Sequence, residues 1–350
     1  MIFQLKTGVK SMYELVPVHE HVRWQKILDL FKISDIYYTS LYFLSAIKLD
    51  PGEPLLFYYV DDEGEVAYPF IKRVINSEDT AYFDITTPFG YGGPLLEIKG
   101  DAAKLIENFR KTFTDFCDEE KIIAEFIRFH PLNKNAPFFE KYLNLYPMYD
   151  TYSISLMQPI PASEEYKNSS HRNLHVNSNN QVIIKKLGTV RHMFEFLVLY
   201  YSTARRREEA DSYYFFTDDY FETLISSLGP NLHLFGAFYE EKLVSACYVL
   251  AQGDMIFHHL EGSMAGQENG TAKKNLLLKI AEWGAENHFS SFHLGGDFPE
   301  DNENSNRLKL EISNMEPAAF YIGQQVHDPS AYNKLVSVNE TDLIKRYRFG

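Results

Sequence analysis

Between Met255 and Asp297 the chain reads as strand, glycine-bearing loop, amphipathic helix and strand: MIFHHLEG, GQENGTA, KKNLLLKIAEWGAENH and FSSFHLGGD. A loop that opens a helix in this way presents free backbone N–H groups and the positive end of the helix dipole, which suits an anion. Within it Gln267, Gly270, Thr271 and Ala272 are spaced as a cradle for a pyrophosphate.

The same order of elements occurs once before. PLLFYYV, the acidic turn Asp61-Asp62-Glu63-Gly64 and EVAYPFIKRVI read as a β-hairpin. AYFDIT is the next strand, and the glycine loop Phe89-Gly90-Tyr91-Gly92-Gly93-Pro94 follows it. Ala102, Leu105, Ile106, Phe109, Phe113 and Phe116 then recur at helical spacing, and IIAEFIRFHP closes the unit with a strand. In the second half, LHLFGAFY and LVSACYVLA form the hairpin that precedes MIFHHLEG. Two copies of one supersecondary unit are the economical explanation.

A chain of 350 residues has room for two such domains, each with its own core. The hinge is expected in TYSISLMQPIPASEEYKN, where Pro159 and Pro161 interrupt regular structure, giving domains 1–158 and 159–350. Further helices are expected from about His19 to Phe31, Val190 to Thr203 and Asp218 to Leu228. DFPEDNENSN, acidic and poor in apolar residues, reads as a mobile surface loop, and AAFYIGQQV as a last strand.

The net charge of −14 argues against broad, nonspecific nucleic-acid binding, which needs a basic face. Arg205, Arg206 and Arg207 could still form a local basic patch; a solvated helix end balanced by Glu208 and Glu209 is the simpler reading. Cys117 and Cys247 lie in apolar periodic segments and read as buried thiols in a reducing compartment. There is no signal-peptide h-region and no run apolar enough to span a membrane, so cytoplasm is the expectation. Nothing in the sequence reports the oligomeric state.

The repeated order resembles the GCN5-related N-acetyltransferase (GNAT) fold, whose Q/R-x-x-G-x-G/A loop is matched by Gln267, Gly270 and Ala272. A duplicated unit resembles the FemAB-type group, the peptidoglycan-bridge aminoacyltransferases and their relatives. Strings that carry this likeness include Pro69-Phe70-Ile71-Lys72-Arg73, Tyr91-Gly92-Gly93-Pro94 and Arg128-Phe129-His130-Pro131. Tyr200-x-x-Thr203, Tyr213-Tyr214-x-Phe216, His259-Leu260-x-Gly262, His293-Leu294-Gly295-Gly296 and Arg307-x-Lys309 continue it through the second half. The resemblance implies an α/β (α+β) chain of two tandem GNAT-like domains, each a mixed, mainly antiparallel sheet flanked by helices. It implies an acceptor side in the first domain and an acyl-donor side in the second. Two positions depart from it: Asp297 stands where relatives usually carry glycine, and Leu308 where they carry an aromatic. The Asp297 carboxylate would repel a phosphate or hold an amine. The basic run usual after Arg172 is replaced by His175, Asn177, Asn179 and Asn180.

The implied reaction is N-acylation of an amine on a sugar, amino acid or peptide, in a cell-wall or polysaccharide setting. The donor is acyl-CoA, held by the Gln267–Ala272 loop, or an aminoacyl-tRNA reaching a local basic patch; the acidic charge tilts toward the first. A non-catalytic binding protein on the same fold is the rival. Candidate bases are Asp84, His259 and His293, each at or near a strand end. Against them stand plainer roles: a carboxylate capping the YGYGGP loop, and strand histidines satisfied by their neighbours. Tyr91, Gly92 and Gly93 suit an acceptor groove, although tight-turn chemistry also explains the glycines. Arg73, Arg128 and Lys309 are the cations expected to face that groove, with Tyr200, Tyr214, Gly295 and Gly296 beside it. A metal site from His258, His259, His293 and Asp297 is disfavoured, because adjacent strand histidines point to opposite faces.

Overall fold

The halves of the chain meet in one continuous sheet, because each contributes a strand edge that the other completes. The computed structural model describes residues 4–5, 12–31, 35–75, 81–160, 182–206, 212–266, 270–297 and 299–335. In the first half the strands are β1 (Gln4–Leu5), β2 (Met12–Pro17), β3 (Glu53–Asp61), β4 (Gly64–Ile75), β5 (Tyr82–Thr86), β6 (Leu95–Ile98), β7 (Ile122–Arg128) and β8 (Asn144–Ser155). Its helices are α1 (His21–Leu28), α2 (Ser40–Ala46) and α3 (Ala102–Glu119). The second half adds β9 (Val182–Leu187), β10 (Leu232–Tyr239), β11 (Lys242–Gln252), β12 (Met255–Ser263), β13 (Ser291–Gly295) and β14 (Ala318–Val326). Its helices are α4 (Val190–Arg205), α5 (Asp218–Leu228), α6 (Thr271–Glu286), α7 (Pro299–Ile312) and α8 (Pro329–Leu335).

The expected repeat is present: hairpin, strand, helix, strand as β3-β4-β5-α3-β7, and again as β10-β11-β12-α6-β13. Within each copy the last two strands are parallel and the rest antiparallel. The sheet order is β1-β2-β3-β4-β5-β7-β14-β8-β13-β12-β11-β10-β9, with β6 beside β4. β14 comes from the end of the described chain yet lies between β7 and β8. β8 changes partner along its length: Asn144–Thr151 pairs with β14, and Tyr152–Ser155 pairs with β13.

Each helix forms where a cap and an apolar stripe coincide. The Asp101 side chain accepts from Ala103 N and Lys104 N at the start of α3. The buried face of α3 (Leu105, Phe109, Phe113, Phe116) then packs on Phe57, Tyr59 and Phe70. In the second half the buried face of α6 (Leu276, Leu277, Ile280, Ala281) covers Cys247, Val249 and Ile256. A third core joins the halves, with Trp24, Tyr37, Tyr42 and Tyr91 from one and Phe196, Tyr220 and Phe257 from the other.

Two expectations change. The segment from Asp297 to Asn306 is not a loop but enters α7, because Leu308 and Ile312 anchor a helix in the second-half core. The expected hinge begins as strand, since Thr151–Ser155 belongs to β8; residues 161–168 of it lie outside those described. Cys117 and Cys247 are free and buried, as expected. Among the described residues no helix is long and apolar enough to cross a membrane.

Candidate functional site

The two copies of the repeat differ at their parallel strand pairs. In the second half β12 and β13 pair only from Met255 to Phe257 and from Ser291 to His293. Beyond that point β12 follows β11 to Ser263, while β13 shifts register against β8. The strands therefore fork beyond Phe257 and His293. In the first half the equivalent fork is closed. Gly92 bridges Phe129, with Gly92 N donating to Arg128 O (2.7 Å) and His130 N donating to Gly92 O (3.0 Å).

Helix α6 starts directly beyond the second-half fork. Thr39, Asp101, Thr189 and Thr217 cap four other helices with their side chains, but Gly270 caps α6 with none. The first-turn N–H groups of α6 are thus left for another acceptor. Thr271 is exposed there, whereas Ala272 is a core residue and lines nothing. Gln267 lies outside the described residues.

Charged side chains flank the fork. Lys273 Nζ donates to Glu261 Oε1 (2.6 Å) and to Ser305 Oγ (3.2 Å), and His258 Nε2 lies 3.1 Å from Glu261 Oε2 without hydrogen-bond alignment. Lys309 Nζ donates to Asp297 Oδ2 (2.7 Å). Asn306 pins the Asp297 backbone on both sides, accepting from its N–H and donating to its carbonyl. Burial alone would raise the two carboxyl groups; Lys273 and Lys309 outweigh it and hold Glu261 and Asp297 below the ordinary range.

A cluster of histidines and tyrosines fills the seam between the halves. His293 shares a hydrogen bond of 3.0 Å between Nδ1 and Ser153 Oγ, and its Nε2 lies 3.4 Å from the Tyr91 hydroxyl. Burial, reinforced by His130 and Lys309, holds its imidazole well below the ordinary range. His259 Nε2 and the Tyr220 hydroxyl share a bond of 2.9 Å, and Nδ1 has no partner among the described residues. Burial and His258 lower its pKa to about 3, so it is neutral in ordinary buffers. The Tyr37 ring links the groups, 6.2 Å from His259, 5.4 Å from Tyr91 and 6.3 Å from His130. Gly295 adopts φ +67, and a Cβ there would stand 3.5 Å from the Tyr91 hydroxyl.

The other expected site residues have different settings. Asp84 is no free base: it is buried in a two-pronged pair with Arg73 (2.9 and 3.0 Å), and Arg73 also reaches Asp50 (2.7 Å). Asp50 in turn accepts from the Tyr213 hydroxyl (2.9 Å), so this chain of charges ties β4 and β5 to the second half. Arg128 donates to Thr86 Oγ1 and Thr87 O with its guanidinium 4.8 Å from the Phe126 ring. Gly92 and Gly93 line no open groove; they are buried in the closed first-half fork, where Gly93 adopts φ +93. The Tyr200 hydroxyl donates to Tyr214 O (2.7 Å), and Gly296 lies so close to Asp150 O that a Cβ would meet it at 2.1 Å. Tyr91, His293, Gly295, Lys309 and Asp297 gather around one locus, with His259 reached through Tyr37.

Several residues of the site escaped the sequence reading. His130 accepts from Leu132 N at Nδ1 and lies 2.7 Å from Asp35 at Nε2, off hydrogen-bond alignment. Ser153 sits on the partner-switching strand, and Glu261 and Lys273 meet across the fork. The one signal available was Glu261 within HHLEG, two residues after a chosen histidine. Among the described residues no group of three or more His, Cys, Asp or Glu could hold a metal ion.

No protein-family model matches the sequence, and no curated protein matches it at a significant level. Solved structures do resemble it. FemX superposes with a TM-score of 0.59 at 8% identity, over 92% of this chain and 99% of its own. A tandem GNAT protein from the clavulanic acid biosynthesis pathway gives 0.51 at 10% identity, over 91% and 99%. The L-PGS of Bacillus licheniformis gives 0.51 at 10% identity, over 93% and 96%. At such identities the likeness is one of fold, and by that measure the chain has the tandem GNAT fold of the FemX type.

Proposed function

We propose that the protein is an N-acyltransferase whose second half, 159–350, holds an acyl-CoA donor and whose first half, 1–158, helps present an amine. The observation that carries this reading is the asymmetry of the forks: one is open and leads to an uncapped helix start, the other is sealed by Gly92. An acyl-CoA pyrophosphate would accept from the first-turn N–H groups at Gly270 to Ala272, with the acyl arm entering between β12 and β13. In the transfer the amine nitrogen bonds to the acyl carbon, the C–S bond breaks, and the amine's proton ends on the departing thiolate. His259 is the candidate to relay that proton, because one of its ring nitrogens is unpartnered among the described residues. Cell-wall or polysaccharide amines are the acceptors that the FemAB resemblance of the sequence implies.

A second donor, an aminoacyl-tRNA, is supported by the FemAB resemblance and by Arg205 and Arg206, both exposed at the end of α4. Titration calorimetry with acetyl-CoA and with charged tRNA separates the two. Acetyl-CoA binding followed by acetylation of an amine acceptor supports the first reading. Binding of charged tRNA alone replaces it with the second, and silence from both leaves a binding protein on the same fold.

A further inference from the structure

Helix α4 is apolar on two sides. Its inner face, with Phe196, Leu199, Tyr200 and Ala204, is buried. Its outer face carries Val190, Phe194 and Val198, which are 66%, 64% and 69% exposed. Residues four apart follow one another up the same side of a helix, so the three form a single ridge about 12 Å long. Ile183 of β9, also exposed, stands opposite Phe238 in the sheet register. Phe238 in turn packs against His192 at the start of α4 (ring centroids 6.3 Å apart), so the apolar surface continues onto β9. Exposed apolar residues scattered singly need no account, but a ridge of three on one helix does. A helix that is apolar all round is one that is covered on both sides.

The ridge is self-complementary. Phe194 is its midpoint, with a valine one turn away in each direction. A two-fold axis at Phe194 sets that ring on its own copy and sets Val190 on the second copy's Val198. The neighbouring charges obey the same axis. Arg191, with its side chain 85% exposed, pairs with Glu195 of its own helix (2.9 Å). In an antiparallel pair the flank bearing both faces the same flank in reverse, so Arg191 of each copy comes to Glu195 of the other. The helix ends agree. The first packs by Phe238, two residues before Glu240 and Glu241, with Lys185 5.2 Å over the Phe238 ring; the last carries Arg205 and Arg206, both exposed. Antiparallel pairing sets these unlike ends together, whereas parallel pairing opposes like ends. An anionic bilayer also suits an apolar ridge beside arginines, but it would meet a chain of net charge −14. We infer that the outer ridge of α4 docks on the same ridge of a second copy, giving a two-fold symmetric, antiparallel homodimer. The contact is one helix face and therefore small, so a dissociation constant of about 1–100 µM is expected.

Sedimentation velocity of the full chain across that range tests the inference, separating the 40.6 kDa monomer from a species of twice its mass. Phe194→Asp puts a carboxylate at the axis and is expected to weaken association at least about thirtyfold. Its melting temperature should stay within about 2 °C, because the side chain faces solvent in the single copy. Arg191→Glu is expected to weaken the dimer, and combining it with Glu195→Arg to restore it. Cross-linking reads the register directly. Cys117 and Cys247 are buried, so Phe194→Cys treated with diamide is expected to give a disulfide-linked dimer. Val22→Cys, at a position just as exposed on α1, should give none. A chain that stays monomeric overturns the inference, and its flotation with phosphatidylglycerol vesicles would replace the second copy with a bilayer. A dimer that Phe194→Asp leaves intact, or equal cross-linking of the two cysteine variants, overturns it as well. None of these outcomes bears on the acyl-transfer reading, which rests on the fork and is tested by donor binding.

Discussion

At the scale of single residues, burial turns several candidate catalysts into structural pairs. Asp84 shortly precedes a glycine loop, which in sequence looks like a site; in space it is paired with Arg73 of the neighbouring strand in the core. Arg73→Met would leave Asp84 as an uncompensated buried charge and is expected to cost about 3–5 kcal/mol in chemical denaturation. Glu125 makes a similar demand. Burial would raise its pKa, but Arg110, with His327, lowers it to about 2 from 4.5. A lowered carboxyl pKa gives stability that is present above pH 4.5 and is lost as pH falls toward 2, on the order of 3 kcal/mol. Acid titration of the unfolding free energy should show that limb, and Arg110→Met should flatten it. His259 works in the opposite chemical sense with the same slope. Its pKa of about 3 means that protonation opposes folding between pH 6.5 and 3, so stability also rises with pH there. No activity limb near neutral pH should come from His259, and a pH–rate profile checks this. Sequence reading singled out His259 and His293 because both lie in the strands of a recognisable repeat, and the structure places both in the aromatic seam between the halves. It missed Asp35, His130 and Ser153 because their partners lie far off in the chain, and contacts of that kind leave no periodic trace.

At the scale of elements, the repeat was legible because each strand and helix carries its own period. Hairpins, α3, α6 and β14 all appear where alternation or helical spacing put them. α7 was misread because its acidic start outweighed the spacing of Leu308 and Ile312 at its end. The glycines at the two ends of the β12–α6 connection now separate by role. Gly262 lies against α4, where a Cβ would meet Tyr200 N at 2.4 Å and Leu199 C at 2.6 Å. Gly262→Ala should therefore force α4 off β12 and lower stability by about 1–3 kcal/mol, visible as a fall in melting temperature. Gly270 has extended backbone (φ −88, ψ −178) that any residue adopts. Gly270→Val should keep the melting temperature within about 2 °C while weakening donor binding at least about tenfold. A normal affinity in that variant would remove the pyrophosphate from the start of α6.

At the scale of the whole molecule, the exchange of edges joins the repeats. Without β14, both β7 and β8 would present open edges in the first half; without β8, β13 would lose its outer partner. The third core adds aromatic packing across the same seam. Calorimetry should therefore show one cooperative transition, and a fragment ending at residue 158 should not unfold cooperatively on its own. Two resolved transitions would contradict that coupling. One fork stays open while Gly92 seals the other, which is the basis for assigning a single acyl donor to the chain. Titration calorimetry of the intact protein with acetyl-CoA measures this most directly. One site per chain is expected, weakened at least about tenfold in Gly270→Val and kept in Arg128→Lys; no binding, or two equivalent sites per chain, would contradict it.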